Sequence, residues 1–288
     1  MIAVAGGSGQ VGRWLAELGG PEVVALTSSE LDVTDGEAAS AILKDLAPKW
    51  VINCAAHTAV DAAEAEPELA AAINSQGAEN LARAASSAGA KFIQVSTDYV
   101  FGESNILSEP LVENHLRAPM SVYGKTKSEG EDAVRAVCED STIIRTAWVY
   151  SGPGRSRLGL PGSDFVTTMM ALESSRDTLT VVNDQYGSPT FAHDLAVGLL
   201  QLVKTGAGVG STMHAAGGGR ATWFELARAV FEESDADPER IRPCTTKDFP
   251  RPAPRPAYSV LSSQAWRCAG LPPLRNWREA LSAAMATR

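Results

Sequence analysis

Three glycines at intervals of three residues, Gly6, Gly9 and Gly12, follow the apolar run 2–5 at the start of the chain. The apolar residues that come next recur at helical spacing and are Val11, Leu15 and Leu18. An order of strand, glycine turn and helix lets the backbone turn tightly and lets a pyrophosphate approach the amides at the positive end of the helix dipole. A flexible turn would also be rich in glycine, but the position between strand and helix favours dinucleotide binding.

Strand and helix patterns alternate over the first half of the chain. The strand-like runs after the first are 23–26, 50–54, 91–95 and 142–145, and a long alanine-rich helix is predicted to end near Gly89. This alternation predicts an α/β fold, a Rossmann-type doubly wound parallel sheet with helices on both faces. The ligand crevice of such a sheet lies at the carboxyl ends of its strands. The residues at or just after those ends are Thr27, Ala55, Ser96 and Trp148.

The pattern changes after Tyr150, where a loop rich in glycine, proline and arginine covers residues 151–162. We therefore predict a dinucleotide-binding Rossmann domain at 1–150 and a smaller, mainly helical substrate-binding lobe at 151–288. Segments near 178–215 are expected to return to the first domain. One helix of the lobe is predicted to begin with a capping box formed by Thr222 and Glu225.

Charge and cysteine usage narrow the class of protein. The net charge of −9 argues against a nucleic-acid or anionic-membrane surface. No run is long and apolar enough to span a bilayer, and the first strand occupies the place of a signal peptide, so we expect a cytoplasmic protein. The four cysteines lack Cys-x-x-Cys spacing, so no metal site and no disulfide framework is expected.

Tyr123 and Lys127 lie four residues apart in a predicted helix, which places them on one face. A nearby ammonium stabilises the phenolate and would lower the pKa of the tyrosine toward the working range of a proton donor. The same spacing occurs by chance on solvated helix faces, so the pair alone does not indicate a function. Other motifs in the chain are needed to support one.

Seven motifs in order give the chain a family resemblance. They are Gly6-x-x-Gly9-Gln10-Val11-Gly12, Leu31-Asp32-Val33-Thr34-Asp35, Asn53-Cys54-Ala55-Ala56-His57-Thr58-Ala59-Val60-Asp61, Ser96-Thr97-Asp98-Tyr99-Val100-Phe101, Tyr123-Gly124-Lys125-Thr126-Lys127, Arg145-Thr146-Ala147-Trp148-Val149-Tyr150 and Asn183-Asp184-Gln185-Tyr186-Gly187-Ser188-Pro189-Thr190. Together they resemble the extended short-chain dehydrogenase/reductases, and within them the branch that makes dTDP-L-rhamnose. The resemblance runs over nearly the whole chain.

The resemblance implies reduction of the C4 ketone of dTDP-4-dehydro-L-rhamnose by a nicotinamide hydride. Tyr123 would donate the proton, Lys127 would hold the nicotinamide ribose, and Thr97 would hydrogen-bond the sugar oxygen. Serine is common in the family where this chain has Thr97. The hydroxyl still provides the hydrogen bond to a developing oxyanion.

The resemblance also implies two sets of binding residues. The cofactor set is Gly6, Ser8, Gly9, Gln10, Val11, Thr27, Asp32, Val33, Ala55, Ala56, His57, Thr58, Tyr123 and Lys127. The substrate set is Thr97, Asp98, Tyr99 and Trp148. A backbone or structural role is favoured for His57 over acid catalysis, and ordinary core packing is the alternative for Trp148.

Three arginines are candidates for the substrate diphosphate. Arg155 and Arg157 could bind it, although a solvated, mobile loop is the favoured interpretation, and Arg255 is equally ambiguous.

Cofactor choice depends on the tip of the second strand, which reads Thr27-Ser28-Ser29 without an acid until Glu30. An acid there favours NADH, so we predict NADPH, with NADH as the alternative. Some relatives dimerise through metal-bridged acidic residues that begin in the first helix. This chain has Arg13 and Trp14 there, so a monomer or weak homodimer is expected.

Two other functions remain open on the sequence alone. A sugar-nucleotide epimerase or dehydratase of the same fold would need a further acid or base beside Thr97, and Asp98 is the only nearby candidate. A non-catalytic regulatory subunit resembling that of methionine adenosyltransferase would share the Tyr-Gly-Lys-Thr-Lys stretch. Trp148 and the run 184–187 favour the reductase over that subunit.

Overall fold

The structure is a computed structural model that describes residues 1–102 and 108–287. Its strands, in chain order, are β1 (Ile2–Ala5), β2 (Val23–Leu26), β3 (Trp50–Asn53), β4 (Lys91–Thr97), β5 (Thr142–Thr146), β6 (Val149–Tyr150), β7 (Leu179–Val182), β8 (Tyr186–Gly187), β9 (Thr190–Phe191), β10 (Thr212–His214), β11 (Ala221–Thr222) and β12 (Ile241–Cys244). Its α-helices are α1 (Gln10–Gly19), α2 (Gly36–Leu46), α3 (Val60–Ala65), α4 (Pro67–Ala71), α5 (Gly77–Ser87), α6 (Val122–Val137), α7 (Gly154–Arg157), α8 (Phe165–Glu173), α9 (Ala192–Thr205), α10 (Trp223–Glu232), α11 (Gln264–Cys268) and α12 (Trp277–Met285).

The central sheet has the strand order β10-β5-β4-β3-β1-β2 within the described residues. Every neighbouring pair is parallel. The chain winds outward from β1 to β2, returns past β1 to β3 and then winds in the other direction. Strand order therefore reverses between β1 and β3, where doubly wound sheets bind their ligands. The predicted Rossmann-type fold is confirmed.

Apolar side chains alternate between the two faces of the sheet, so each face has its own core. One core lies under α1 and α9 and includes Val4, Ile52 and Ile144. The other lies under α2, α5 and α6 and includes Val51 and Phe92. Helices therefore pack on both faces of the sheet whose strand ends form the crevice.

The part of the chain from β6 on contains α8, α10 and α12 and forms three short strand pairs, β7–β12, β8–β11 and β6–β9. Its apolar side chains, among them Phe231 and Leu281, continue the core under α1 and α9. The predicted capping box is confirmed, because Thr222 accepts from the amide of Glu225 and the Glu225 carboxylate accepts from the amide of Thr222.

The single alanine-rich helix predicted before Gly89 is wrong. The segment contains α3, α4, a π-helical turn at Ala72–Gln76 and α5. The break before α4 falls at Glu66 (φ −128°), because the ring of Pro67 disfavours helical backbone in the preceding residue. The π turn places the side chain of Asn74 in the interior.

No helix within residues 1–102 and 108–287 is both long enough and apolar enough to cross a membrane.

Candidate active site

The turn between β1 and α1 lies so close to neighbouring backbone that a side chain would not fit at Gly6 or Gly12. Gly6 has φ +80°, and a Cβ there would lie 2.6 Å from the amide nitrogen of Ala55. A Cβ on Gly12 would lie 2.4 Å from the carbonyl oxygen of Gly6. Gly9 and Ser8 are exposed at the tip of the turn, next to the N-terminus of α1. The turn therefore offers backbone amides at the positive end of a helix dipole, a geometry that suits a phosphate group.

Gln10 connects this turn to the chain after β5. Its amide nitrogen donates to the carbonyl oxygen of Val149 at 3.3 Å. Its Oε1 is buried, and in the part of the chain that the structure describes it has no hydrogen-bond partner. A buried acceptor without a donor is costly, so this atom is able to accept a hydrogen bond from a group bound in the cleft.

The tip of β2 differs from the sequence prediction in one respect. Glu30 folds back, and its Oε2 accepts from the amide of Thr27 at 2.8 Å and from the Thr27 hydroxyl at 2.7 Å. These hydrogen bonds lower the pKa of Glu30. The sequence places Glu30 beyond the tip, whereas the turn brings its ionised carboxylate back to the strand end.

The two residues predicted near adenine have different environments. Asp32 is exposed, and its carboxylate accepts from the amide and hydroxyl of Thr34 at 2.9 and 2.7 Å. Val33 is buried in the core beneath α2 and α5. Asp32 is accessible to a ligand, whereas the side chain of Val33 mainly packs the turn.

The loop after β3 carries Ala55, Ala56, His57 and Thr58 along the crevice, none of them buried. The Asn74 carboxamide accepts from the amide of His57 at 2.9 Å and donates to its carbonyl oxygen at 3.3 Å. It also donates to the Thr126 hydroxyl at 3.1 Å, which ties this loop to α6. The sequence did not identify Asn74, whose role depends on the π turn.

Helix α6 begins at the floor of the crevice. Ser121 caps it by accepting from the amide of Gly124, and the Glu64 carboxylate accepts from the amide of Val122 at 2.8 Å. Gly124 allows the helix to approach the chain after β4, because a Cβ there would lie 2.2 Å from the carbonyl oxygen of Tyr99. This contact sets Tyr123 beside Thr97.

The phenol of Tyr123 is buried at the end of β4. Burial raises its pKa to about 12, while a hydrogen bond with Thr97 opposes the rise and the charge of Asp98 adds to it. The sequence predicted that Lys127 lowers this pKa, but its ammonium is not among the groups that shift it. In the protein without ligand, Tyr123 is therefore a firmly protonated donor beside a second hydroxyl.

Lys127 is buried one turn further along α6. Its Nζ donates to the carbonyl oxygen of Val95 at 2.7 Å. Burial lowers its pKa to about 8, opposed by the carboxylate of Glu131. The ammonium is thus mainly charged at neutral pH, and two further N–H groups are available to a ligand hydroxyl.

Asp98 is buried next to Thr97. Its carboxylate accepts from the Thr97 hydroxyl at 3.1 Å and from the Ser259 hydroxyl at 2.6 Å. Burial raises its pKa to about 6, against the effect of both hydrogen bonds. Ser259 lies in the C-terminal part of the chain, so this bond joins that part to the end of β4.

Two aromatic side chains stand beside these groups. The ring of Tyr99 meets that of Tyr123 edge to face, with centroids 5.5 Å apart. Trp148 is half-buried and stacks on Trp223 at 3.6 Å with nearly parallel planes. Its backbone has φ +47°, an uncommon conformation for a residue with a side chain. The ring remains partly exposed beside this stacking contact.

Arg155 and Arg157 have partners within the protein, unlike the side chains of a solvated loop. Arg155 is buried, bonds to the carbonyl oxygen of Pro161 and lies 3.7 Å from Asp164, so the prediction of a solvated, mobile loop is wrong for it. Arg157 pairs with Glu17 at 2.6 Å.

Arg255 bonds to Asp61 at 3.0 Å. That bond, with others from Arg251 and the amide of Ala253, holds the pKa of the Asp61 carboxyl well below its usual range. The residues near 255 are thereby anchored at the start of α3, close to Tyr99.

Comparison with known proteins agrees with this geometry. The profile of the RmlD substrate binding domain matches residues 1–288. The dTDP-4-dehydrorhamnose reductase of Mycolicibacterium smegmatis is 48% identical over 288 residues, which cover 99% of this chain and 85% of the relative. The dTDP-4-keto-6-deoxy-D-glucose reductase of Streptomyces niveus is 39% identical over 285 residues, covering 98% of this chain and 95% of the relative.

A solved structure is also close. The crystal structure of dTDP-4-dehydrorhamnose reductase from Bacillus anthracis, in complex with NADP, superimposes with a TM-score of 0.91 at 34% identity. The match covers 100% of this chain and 99% of that one.

Proposed function

This chain belongs to the RmlD substrate binding domain family, and on that premise we propose that it reduces the C4 ketone of dTDP-4-dehydro-L-rhamnose to dTDP-L-rhamnose with NADPH. The observation that carries the proposal is the pair of buried hydroxyls, Tyr123 and Thr97, in contact at the end of β4. A protonated phenol beside a second hydroxyl suits a carbonyl oxygen that gains negative charge during reduction.

The residues of the crevice fit a dinucleotide. The glycine turn leaves room and amides for a pyrophosphate, and Gln10 holds a buried acceptor without a donor. The ammonium of Lys127 has two N–H groups for ribose hydroxyls. NADPH, when bound, supplies the hydride that the ketone carbon accepts.

The remaining steps belong to side chains of this protein. When the ketone binds, the hydroxyl proton of Thr97 turns from Asp98 to the ketone oxygen, and Tyr123 gives that oxygen its proton, so the carbonyl becomes a secondary alcohol. The phenolate left on Tyr123 is buried, and the hydroxyl of Thr97 stabilises it, because a hydrogen bond from Thr97 lowers the pKa of Tyr123. Before the ketone binds, Asp98 accepts the hydroxyl proton of Thr97, and Ser259 holds the Asp98 carboxylate in place.

A direct assay tests the proposal. Mixing the protein with NADPH and dTDP-4-dehydro-L-rhamnose should consume NADPH, followed by its absorbance, and the C4 configuration of the product can be read by NMR. Turnover of dTDP-4-keto-6-deoxy-D-glucose in place of the rhamnose precursor would support a second candidate, which the Streptomyces niveus relative favours. Absence of NADPH oxidation with both sugars would refute a reductase of this class.

The epimerase or dehydratase alternative finds less support in the site. Such an enzyme needs a free acid or base beside Thr97, and Asp98 was the only candidate. Both of its carboxylate oxygens accept hydrogen bonds, one from Thr97 and one from Ser259. A carboxylate engaged in this way serves to position its neighbours.

The acid at the tip of β2 leads to a prediction on cofactor choice. Glu30→Gln removes a negative charge near the 2′ position and keeps the shape, so NADPH should bind more tightly by a factor of about 2 to 5. NADH binding should change little, because it lacks the 2′-phosphate. Fluorescence titration of both nucleotides measures the effect.

The matched variant Ser28→Asp adds a charge at the same tip and should weaken NADPH binding. If both variants bind NADPH like the wild type, the ribose does not lie at this strand end.

A second prediction concerns Trp148. Trp148→Ala should raise the Michaelis constant of the sugar substrate and lower turnover, because an ill-placed ketone loses the geometry for hydride transfer. The NADPH dissociation constant should hardly change. Steady-state kinetics and a cofactor titration on the same protein separate the two.

The competing interpretation is that Trp148 only packs against Trp223. The variant would then lose roughly 3–5 kcal/mol of stability, with both ligands affected alike. A thermal melt distinguishes this outcome from the pocket role.

A further inference from the structure

The last residue of β5, Thr146, has a hydroxyl that the mechanism above does not use. The side chain is 6% exposed. Within the described residues its Oγ1 has no hydrogen-bond partner. Burying an unpaired hydroxyl costs free energy, and native structures rarely do so without a reason.

Thr146 lies directly beside Thr97 in the sheet. Their Cα atoms are paired in the parallel register of β4 and β5, so the two side chains leave the same face of adjacent strands, which lie about 4.8 Å apart. Thr97 contacts the phenol of Tyr123, where the ketone is proposed to bind. The free hydroxyl is therefore next to the place where hydride transfer would occur.

The same face also carries the dinucleotide turn. Ile144, two residues before Thr146, belongs to the core under α1. Gln10, the first residue of α1, bonds to the carbonyl oxygen of Val149 and keeps its own Oε1 unpaired. Two buried polar atoms without a partner in the described residues therefore lie at the ends of the segment 146–149. Gln10 Oε1 lies on the side of the glycine turn, and Thr146 Oγ1 lies on the side of Thr97.

We infer that Thr146 is a cofactor-binding residue whose hydroxyl hydrogen-bonds the carboxamide of the nicotinamide ring, and this inference rests on the proposed function. A ring that reaches the ketone at Thr97 must lie close to Thr146. The carboxamide is the polar substituent of that ring, and it both donates and accepts, so a hydroxyl complements it. This hydrogen bond would determine which face of the nicotinamide ring is presented to the substrate.

Thr146→Val tests the inference, because valine keeps the branched shape and removes the hydroxyl. The dissociation constant of NADPH should rise about 3- to 10-fold, the effect of one neutral hydrogen bond. Binding of adenosine 2′,5′-bisphosphate, which lacks the nicotinamide half, should be unchanged. The melting temperature of the ligand-free protein should not fall, since the hydroxyl has no partner to lose.

Ser141→Ala is the matched control. Ser141 directly precedes β5, and its buried hydroxyl also lacks a partner among residues 1–102 and 108–287, but it lies at the opposite end of the strand from the crevice. This variant should bind NADPH and the bisphosphate like the wild type.

Several outcomes would overturn the role of Thr146. Unchanged NADPH binding in Thr146→Val would do so, as would equal weakening of NADPH and the bisphosphate, or a lower melting temperature that shows a structural hydroxyl. A change in the sugar's Michaelis constant alone would place the hydroxyl on the substrate instead. A wild-type protein that fails to bind NADPH would refute the proposed function as well, so the two failures are distinguishable.

Discussion

Replacing Tyr123 by Phe is expected to lower turnover by a factor of about 10² to 10⁴. Phenylalanine keeps the ring that packs against Tyr99 and removes the proton that the ketone oxygen must receive. The NADPH dissociation constant and the Michaelis constant of the sugar should change little, because the lost interaction is made in the transition state. Steady-state kinetics with a cofactor titration measure all three quantities.

Tyr150→Phe is the control for this experiment. Tyr150 is also buried and its hydroxyl is unpartnered in the described part of the chain, but its ring packs on Phe191 in the core under α1 and α9. That variant should keep its turnover. Near-normal turnover in Tyr123→Phe would remove this residue from the mechanism.

Replacing Glu131 by Leu is expected to cost about 3–5 kcal/mol of unfolding free energy. Glu131 and Arg145 form a buried, bidentate pair with distances of 2.8 and 2.7 Å, and Ser96 donates to the same carboxylate at 2.6 Å. Leucine at position 131 would leave the guanidinium of Arg145 buried without its counter-charge. Urea unfolding of wild type and variant measures the loss.

Two further variants show whether charge or packing is responsible. The double variant Glu131→Leu with Arg145→Met removes both charges and should recover much of the stability. Glu17→Gln breaks the exposed pair with Arg157 and should change stability little. If the double variant is less stable than Glu131→Leu alone, the loss is one of packing.

Features set by local sequence were predictable. The glycine turn, the strand ends and the helical spacing of Tyr123 and Lys127 follow from periodicity and residue type over a few neighbours. These features gave the sheet and its crevice, whereas the placement of Thr97 beside Tyr123 came from the family resemblance. The resemblance added the reaction.

Features that depend on distant contacts were not predictable in this way. The bond from Ser259 to Asp98 joins residues 161 positions apart, and Asn74 enters the interior only through a π turn. Lys127 donates to the Val95 carbonyl oxygen because a buried ammonium needs an acceptor, and its spacing from Tyr123 does not show which acceptor lies within reach. Neither the unpaired hydroxyl of Thr146 nor the folding back of Glu30 leaves a signal in residue spacing.

The backbone at Trp148 shows what its aromatic ring costs the fold. With φ +47°, the position suits glycine or asparagine better than a bulky residue. The backbone conformation at this position therefore conflicts with the side chain that occupies it. In the language of folding landscapes, Trp148 is a frustrated position in an otherwise consistent fold. Selection for folding alone would relax such a conflict. A chain that keeps the tryptophan there gives up some stability for the ring, as expected of a residue that works on a ligand.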